Sequence, residues 1–290
     1  MATIPLSYYF DWQGLEDFRS YSFDANGIPR VHYGSRVGLR YNAITIAQYG
    51  LYRLQQYDVT TDKADKQKAL ACAHWLTENA STWSPDSLCW IYDFDLPFYH
   101  LRAPWISAMA QGEAVSLLLR AFMLDDHRAF LDTAAGAVRA FLYPVTRGGV
   151  CDYLDDGSVI FQEYPTSPPA HVLNGHIFAL LGIYDYARFF DDASFDELCR
   201  QGIASVEKHW RRWDTGYWTR YDLHPSRRLA SRMYHELHIR QMKMLSDLFG
   251  NTELDRVAGR WKRMQKSVLC GFRWLMVKSW EKVRLARVAK

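Results

Sequence analysis

Four short connections alternate with three long ones along this chain, and that rhythm restricts the fold more than any single residue does. Apolar residues recur at three-and-four spacing over 44–57, 62–79, 106–124, 127–142, 172–190, 194–213, 231–249 and 252 to about 277, which predicts eight helices. The segments fall into four pairs. Within a pair only a residue or two intervenes, around 59–60, 125–126, 191–192 and 250–251; between pairs lie 80–105, 143–171 and 214–230. Helical hairpins built this way put every short turn at one end and every long loop at the other. Side by side, they close into an α/α toroid with the first helix of each pair inside. The segment 106–124 fits an inner position, being apolar almost all round at Leu117, Leu118, Leu119, Ala121 and Phe122. Long loops crowding one mouth make that mouth the place to expect function. An open helical repeat array is the structural alternative, but the hairpins share no consensus.

Before the first helix, residues 1 to about 40 lack a helical pattern. Asp24-Ala25-Asn26-Gly27 is a turn signal, and Ile28 to Tyr33 alternates like a short strand, so an arm with one β-hairpin is expected to lie over the body. The division that follows is an arm over 1–40, a toroid over 41–278 and a basic tail over 279–290. The tail is set apart by charge. From Arg256 onward there are 11 Lys/Arg and one acid, Glu281, which leaves 24 basic against 31 acidic residues in the first 255. A body of that sign is not expected to bind nucleic acid. Aromatics make up 15% of the 290 residues, enough for a large core with some left to stack on sugar rings.

Cysteines at 72, 89, 151, 199 and 270 are odd in number, scattered and without a CxxC pair, which predicts reduced thiols rather than a zinc site or a disulfide framework. No signal-peptide pattern opens the sequence and no apolar stretch approaches a membrane span, so a cytoplasmic protein is expected, at most peripheral to the inner face of a membrane. Nucleotide-binding and serine-hydrolase signatures are absent, and His235-Glu236-Leu237-His238 has the wrong spacing for a zinc-binding HExxH helix. Neither a metal nor a cofactor is expected. What remains is a set of Tyr, Glu and His residues in the long loops: Glu163-Tyr164 in a proline-stiffened stretch, the run Asp214 to His224, and Tyr234 to His238 at the start of the seventh helix.

Several of these blocks, in order, resemble the C-terminal catalytic domain of D-glucuronyl C5-epimerases. They are Ile46-Ala47-Gln48-Tyr49-Gly50-Leu51, Trp105 to Gly112, Glu163-Tyr164-Pro165-Thr166, Val172-Leu173-Asn174-Gly175, Asp214-Thr215-Gly216, Tyr221-Asp222-Leu223 and Tyr234-His235. The β-rich insertion of animal members, with its calcium site, has no counterpart here. The family's Tyr-Asp-Leu-Arg reads Tyr221-Asp222-Leu223-His224, so Arg227, Arg228 or Arg232 is left to supply the missing cation.

The resemblance implies inversion at C5 of D-glucuronate within a polysaccharide, heparosan-like or another glucuronan, to give L-iduronate. It places catalytic roles on Glu163, Tyr164, Tyr221 and Tyr234, with Gln48, Tyr49, Trp105, Asn174, His224, His235 and His238 binding substrate. Inversion needs a base on one face of the sugar and a proton donor on the other; Tyr164 or Glu163 would serve one face, Tyr221 or Tyr234 the other. A polysaccharide lyase could use the same tyrosines, since it starts with the same proton abstraction. A glycoside hydrolase would need two opposed carboxylates, for which Asp155, Asp156, Glu163 and Asp222 are available. A non-catalytic glycan-binding toroid is the third reading. Besides the anionic glycan, a homodimer and a membrane surface met through the basic tail stand as expected partners.

Overall fold

A computed structural model describes residues 4–15, 17–83 and 86–288, with side chains described through Glu281. The pairs of helices are where the periodicity put them: α2 (Ala43–Thr60) with α3 (Lys63–Glu78), α4 (Ala108–Asp125) with α5 (Arg128–Val138), α6 (Leu173–Phe190) with α7 (Ala193–His209), and α8 (Arg232–Phe249) with α9 (Thr252–Lys266). A single turn, α1 (Gly34–Val37), precedes them, and α10 (Val268–Val288) follows. The first helix of each pair packs on the first helix of the next, α2 on α4, α4 on α6 and α6 on α8. The second helices flank them, and α4 and α6 are buried over nearly their whole lengths. This is an α/α toroid of four hairpins.

All four hairpins turn in the same way. Two residues connect each pair, the first in the left-handed region (Thr61, Asp126, Asp191, Gly250; φ 49–66°) and the second at the N-cap of the next helix. Asp62, Asp192 and Asn251 accept backbone N–H groups of the helix they open. A left-handed residue at a helix C-terminus returns the chain antiparallel with minimal length. Only Gly250 meets that conformation without steric cost.

The sheets are small and belong to the loops. β1 (Ser22–Phe23), β2 (Pro29–His32) and β3 (Leu39–Tyr41) form an antiparallel meander, so the expected hairpin carries a third strand. β4 (Ser81–Trp83) pairs with β5 (Ser87–Cys89), and β6 (Cys151–Tyr153) with β7 (Val159–Phe161), inside two of the long loops. The hairpin is laid against the body as expected, but residues 8–12 enter the ring. The Gln55 side chain of α2 donates to the Tyr8 and Phe10 carbonyls (2.9 and 2.8 Å), and Arg240 of α8 donates to those of Asp11 and Gln13. Trp12 stacks on Phe178 of α6. Between α4 and α6, the fully buried Arg120–Asp185 pair takes the Tyr9 hydroxyl on its carboxylate (2.7 Å) and lies under the Tyr8 and Tyr9 rings. The arm therefore touches all four inner helices and closes the gap between the first and the last.

The eighth helix differs from expectation. Its periodicity runs on to about 277, but the helix stops at Lys266 and restarts at Val268, with Ser267 extended between and its hydroxyl accepting the Cys270 N–H (3.3 Å). A serine that caps a new helix breaks the old one without changing the apolar pattern. The boundary expected at 278/279 falls inside α10, whose Trp274 indole donates to the Ala230 carbonyl and whose Glu281 carboxylate accepts the Leu229 N–H. The five cysteines are free thiols.

Thr61 is β-branched in a left-handed position and exposed, so Thr61→Gly relieves strain. We expect it to raise stability by about 1 kcal/mol in urea unfolding, whereas Gly250→Val at the equivalent turn lowers it.

Candidate active site

The N-terminal ends of the four inner helices open on the side of the long loops, and two cavities lie there. The first, of about 360 Å³, is lined by Tyr99, Tyr164, Tyr221, Arg228, Tyr234 and Lys278 among others. The second, of about 270 Å³, goes deeper, with Gln48 of α2, Met109 of α4 and Asn174 of α6 on its walls beside Glu163, and Trp12 of the arm. Tyr164 and Tyr234 line both cavities and so stand where they meet.

Each of these side chains is held from behind. Glu163 and Tyr164 follow β7 directly. Gln162 fixes that exit: its side chain donates to Asp152 (2.6 Å) and accepts the His171 N–H, and its carbonyl accepts the N–H of Ala108 at the start of α4 (3.0 Å). Tyr164 lies on Tyr99 (5.0 Å between centroids) with the Trp105 edge behind it. Tyr221 is held by backbone hydrogen bonds to Arg228 and Leu173, and its ring meets Tyr234 at 4.7 Å. Tyr234 occupies the first turn of α8, its N–H bound to the capping Ser231 hydroxyl. Two pairs of aromatic rings, from three long loops and the first turn of α8, thus face one cavity.

The electrostatics of the site follow from burial. Glu163 is 3% exposed, and one carboxylate oxygen has no hydrogen-bond partner. Burial pushes its pKa up to about 7, against the opposing pull of the Tyr164 hydroxyl and the Arg228 cation. Tyr164 and Tyr221 are pushed well above the ordinary phenol range, first by burial and then by the Glu163 charge. Near neutrality, then, the carboxyl is poised to gain or lose a proton while both phenols keep theirs. Glu113 of α4, fully buried below, is also pushed well up by burial and receives a hydrogen bond from Gln48 (2.9 Å).

Arg228 supplies the cation. Its guanidinium lies over Phe98, Tyr99 and Tyr221 and donates to the Tyr99 hydroxyl (2.7 Å) and to Asp222 (3.3 Å), while Tyr99 itself donates to Asp222 (2.6 Å). Of the three arginines the sequence offered, Arg232 sits over Trp274, and Arg227 is on the turn away from both cavities. Tyr99, Lys278 and Glu113 went unread in the sequence. Lys278 is the last residue of the expected toroid and one of a run of cations read only for their charge, and Tyr99 lies in a loop without periodicity.

Other expected site residues fall elsewhere. His235 stacks on Trp218 (4.0 Å) and bonds Thr219 and the Trp261 carbonyl, and His238 bonds Thr219. Burial pushes them down to about 4 and about 3, so both are neutral packing residues that line neither cavity. Their rings lie on the flank of α8 that faces α9, whereas Met233, Tyr234 and Leu237 face the deeper cavity. Trp105 is stacked on Tyr92 and donates to the Phe94 carbonyl; it backs Tyr164. Tyr49 packs against Phe18 and Phe23, away from both cavities. His224 bonds Ser226 and backs the edge of Tyr99. Among the described residues no cluster of His, Cys, Asp and Glu is arranged to hold a metal ion.

The family model described as "D-glucuronyl C5-epimerase C-terminus" matches residues 85–263. The chain belongs to the D-glucuronyl C5-epimerase family. A D-glucuronyl C5-epimerase of Caenorhabditis elegans is 31% identical over 211 residues, 66% of this chain and 34% of that protein. An uncharacterized protein of Methanocaldococcus jannaschii is 29% identical over 178 residues, covering 60% of this chain and 57% of the relative. The chain thus spans about a third of one relative and just over half of the other. Among solved structures, the unsaturated glucuronyl hydrolase of Bacillus sp. GL1 superposes with a TM-score of 0.47 at 16% identity, over 78% of this chain and 61% of that one.

Gly175 tests the placement of the carboxyl. A Cβ there would lie 2.4 Å from the free Glu163 oxygen and 2.6 Å from Glu163 Cβ. Gly175→Ala is expected to displace Glu163 and lower kcat at least about tenfold, with the helical circular dichroism unchanged.

Proposed function

We propose that the protein inverts C5 of D-glucuronate residues within a polysaccharide, with Glu163 as the base on one face and a tyrosine as the donor on the other. The observation that supports this most is the convergence of Glu163, Tyr164, Tyr221 and Tyr234 around one junction, with Arg228 beside them. The C5 proton of a uronate is weakly acidic, and its removal leaves charge on the neighbouring carboxylate. A cation at that carboxylate lowers the barrier, and Arg228 with Lys278 offers one from the cavity wall. Ionised Glu163 takes the proton from C5. Tyr221 or Tyr234, still protonated, gives its own to the opposite face, and proton exchange then restores the starting charges. Tyr164, between Glu163 and the facing pair, holds the carboxylate by its hydroxyl.

A lyase would begin with the same abstraction and then expel the 4-substituent. A hydrolase needs a second carboxyl in the cleft. Asp222 is fully buried, is bound by Tyr99 and Arg228, and lines neither cavity. Asp155 and Asp156 are paired with Arg212, Lys208 and His209, and neither lines a cavity. These placements favour proton transfer over hydrolysis. Heparosan in heavy water is the test: deuterium at C5, with chain length unchanged and no new double bond, is the expected result. Shortened chains or an unsaturated product would replace the reading by hydrolysis or elimination.

The pH dependence has a definite sign. Glu163 acts ionised, so kcat/KM is expected to rise with pH through about 7. Glu163→Gln abolishes the rise and reduces exchange by about a hundredfold or more. The same carboxyl weakens the fold at high pH. Its folded pKa lies above the unfolded value, so the stability it contributes falls as pH climbs from about 4.5 to about 7. Glu163→Gln is therefore expected to be more stable than the parent at pH 8, by up to about 3 kcal/mol in urea unfolding. The two should be nearly equal at pH 4.

A further inference from the structure

Helix α10 buries one face and leaves the opposite face, also apolar, in solvent. Trp274, Val277 and Glu281 point inward: the Trp274 ring meets Trp218 at 5.4 Å, and the Glu281 carboxylate accepts the Leu229 N–H. Val268, Leu269, Phe272, Leu275, Met276 and Trp280 point outward. Leu269 is 82% exposed and Trp280 is 64% exposed. Their spacing of one, three, three, one and four residues keeps all six on one stripe along three turns. Beside the stripe, at the junction of α9 and α10, a groove of about 450 Å³ is lined by Val268, Phe272 and Leu275 together with Arg232 and Lys266. Monomeric proteins seldom expose a contiguous apolar band of this kind without a partner.

Charge decides which partner. The exposed stripe lies in the most basic part of the chain, with Lys266 and Arg273 near it and Lys282, Arg284 and Arg287 on the same helix, in a protein whose first 255 residues carry an excess of acid. A second copy would bring like charges together along the whole helix. An acidic lipid surface would meet cations and apolar side chains at once, the combination by which amphipathic helices lie in a bilayer interface. No helix among the described residues is long and apolar enough to cross a membrane, so the contact would be along the surface.

We propose that the outer face of α10, centred on Leu269, Phe272, Met276 and Trp280, docks the protein on an anionic lipid surface. Lys278 lines the first cavity and Glu281 caps a backbone N–H of its wall, so docking sets the cavity mouth beside the lipid. The docking is independent of the reaction assigned to that cavity.

Co-sedimentation of the full chain with vesicles tests this. Binding to vesicles of phosphatidylcholine and phosphatidylglycerol is expected, with little binding to phosphatidylcholine alone and weaker binding as salt is raised. Phe272→Ser with Met276→Ser should reduce the affinity about tenfold or more while leaving C5 exchange on a soluble glycan intact. In the parent protein, brominated acyl chains should quench tryptophan fluorescence, because Trp280 enters the interface; this readout does not depend on the variant folding. No binding to the anionic vesicles, binding that the double substitution leaves unchanged, or bound protein without quenching would each overturn the proposal. So would a concentration-dependent dimer that the double substitution dissolves, since the face would then belong to a second copy.

Discussion

The fold depends on one close crossing, that of α4 and α6. A Cβ on Gly112 would lie 2.6 Å from the Ala179 Cα, and one on Gly182 only 2.4 Å from the Gly112 Cα, so the two backbones touch. Helices normally pack 8–10 Å apart because side chains stand between them; glycine on both sides removes that spacer. The approach brings Met109 and Asn174, near the starts of these two helices, onto the wall of one small cavity. It also sets the distance across which Arg120 reaches Asp185 with both side chains fully buried. A buried ion pair contributes little net stability by itself, but breaking it leaves a charge without compensation, so it penalises any sliding of α4 along α6. Geometry at the mouth is inherited from this contact at the axis.

Much of the fold was legible because helices longer than three turns repeat their pattern often enough to be read. Seven of the eight segments were placed within a few residues, the eighth running past its break at Ser267, and the alternation of short and long connections pointed to the toroid. What escaped had too little sequence to carry a pattern. Strands of three residues in β4 to β7 offer no run of alternation, and Ser267 is one polar residue inside an unbroken apolar rhythm. The site was legible in its residue types more than in their directions. Glu163, Tyr164, Tyr221 and Tyr234 meet at one place, and Gln48 and Asn174 join them. His235 stands next to Tyr234 in sequence but is turned by about 100° around the helix axis, toward α9 instead of the cavity. Adjacent letters in a helical block point to different neighbours.

The site also shows how packing can raise a carboxyl into the neutral range. Glu163 has no unpaired cation pressed against it; Arg228 is occupied with Asp222 and Tyr99 and acts only from a distance. Solvent exclusion is the larger effect. Its source is packing: the Gly175 Cα hydrogen side, the Gln162 anchor and the Tyr164 ring leave the carboxyl little water. Adding polar partners around Glu163 would make the protein more stable and the carboxyl a weaker base at the same time.

The arm that enters the ring has a consequence for how the molecule comes together. Residues 8–12 precede all four inner helices, yet Trp12 forms part of the cavity lining and Asp11 and Gln13 bind Arg240 of α8. More than two hundred residues separate those partners. During synthesis the arm emerges ahead of the inner helices and has nowhere complete to dock until the last of them has left the ribosome. Its contacts are the most distant in sequence, and such contacts close slowly. The deeper cavity is thus finished last, by a segment made before the helices it joins.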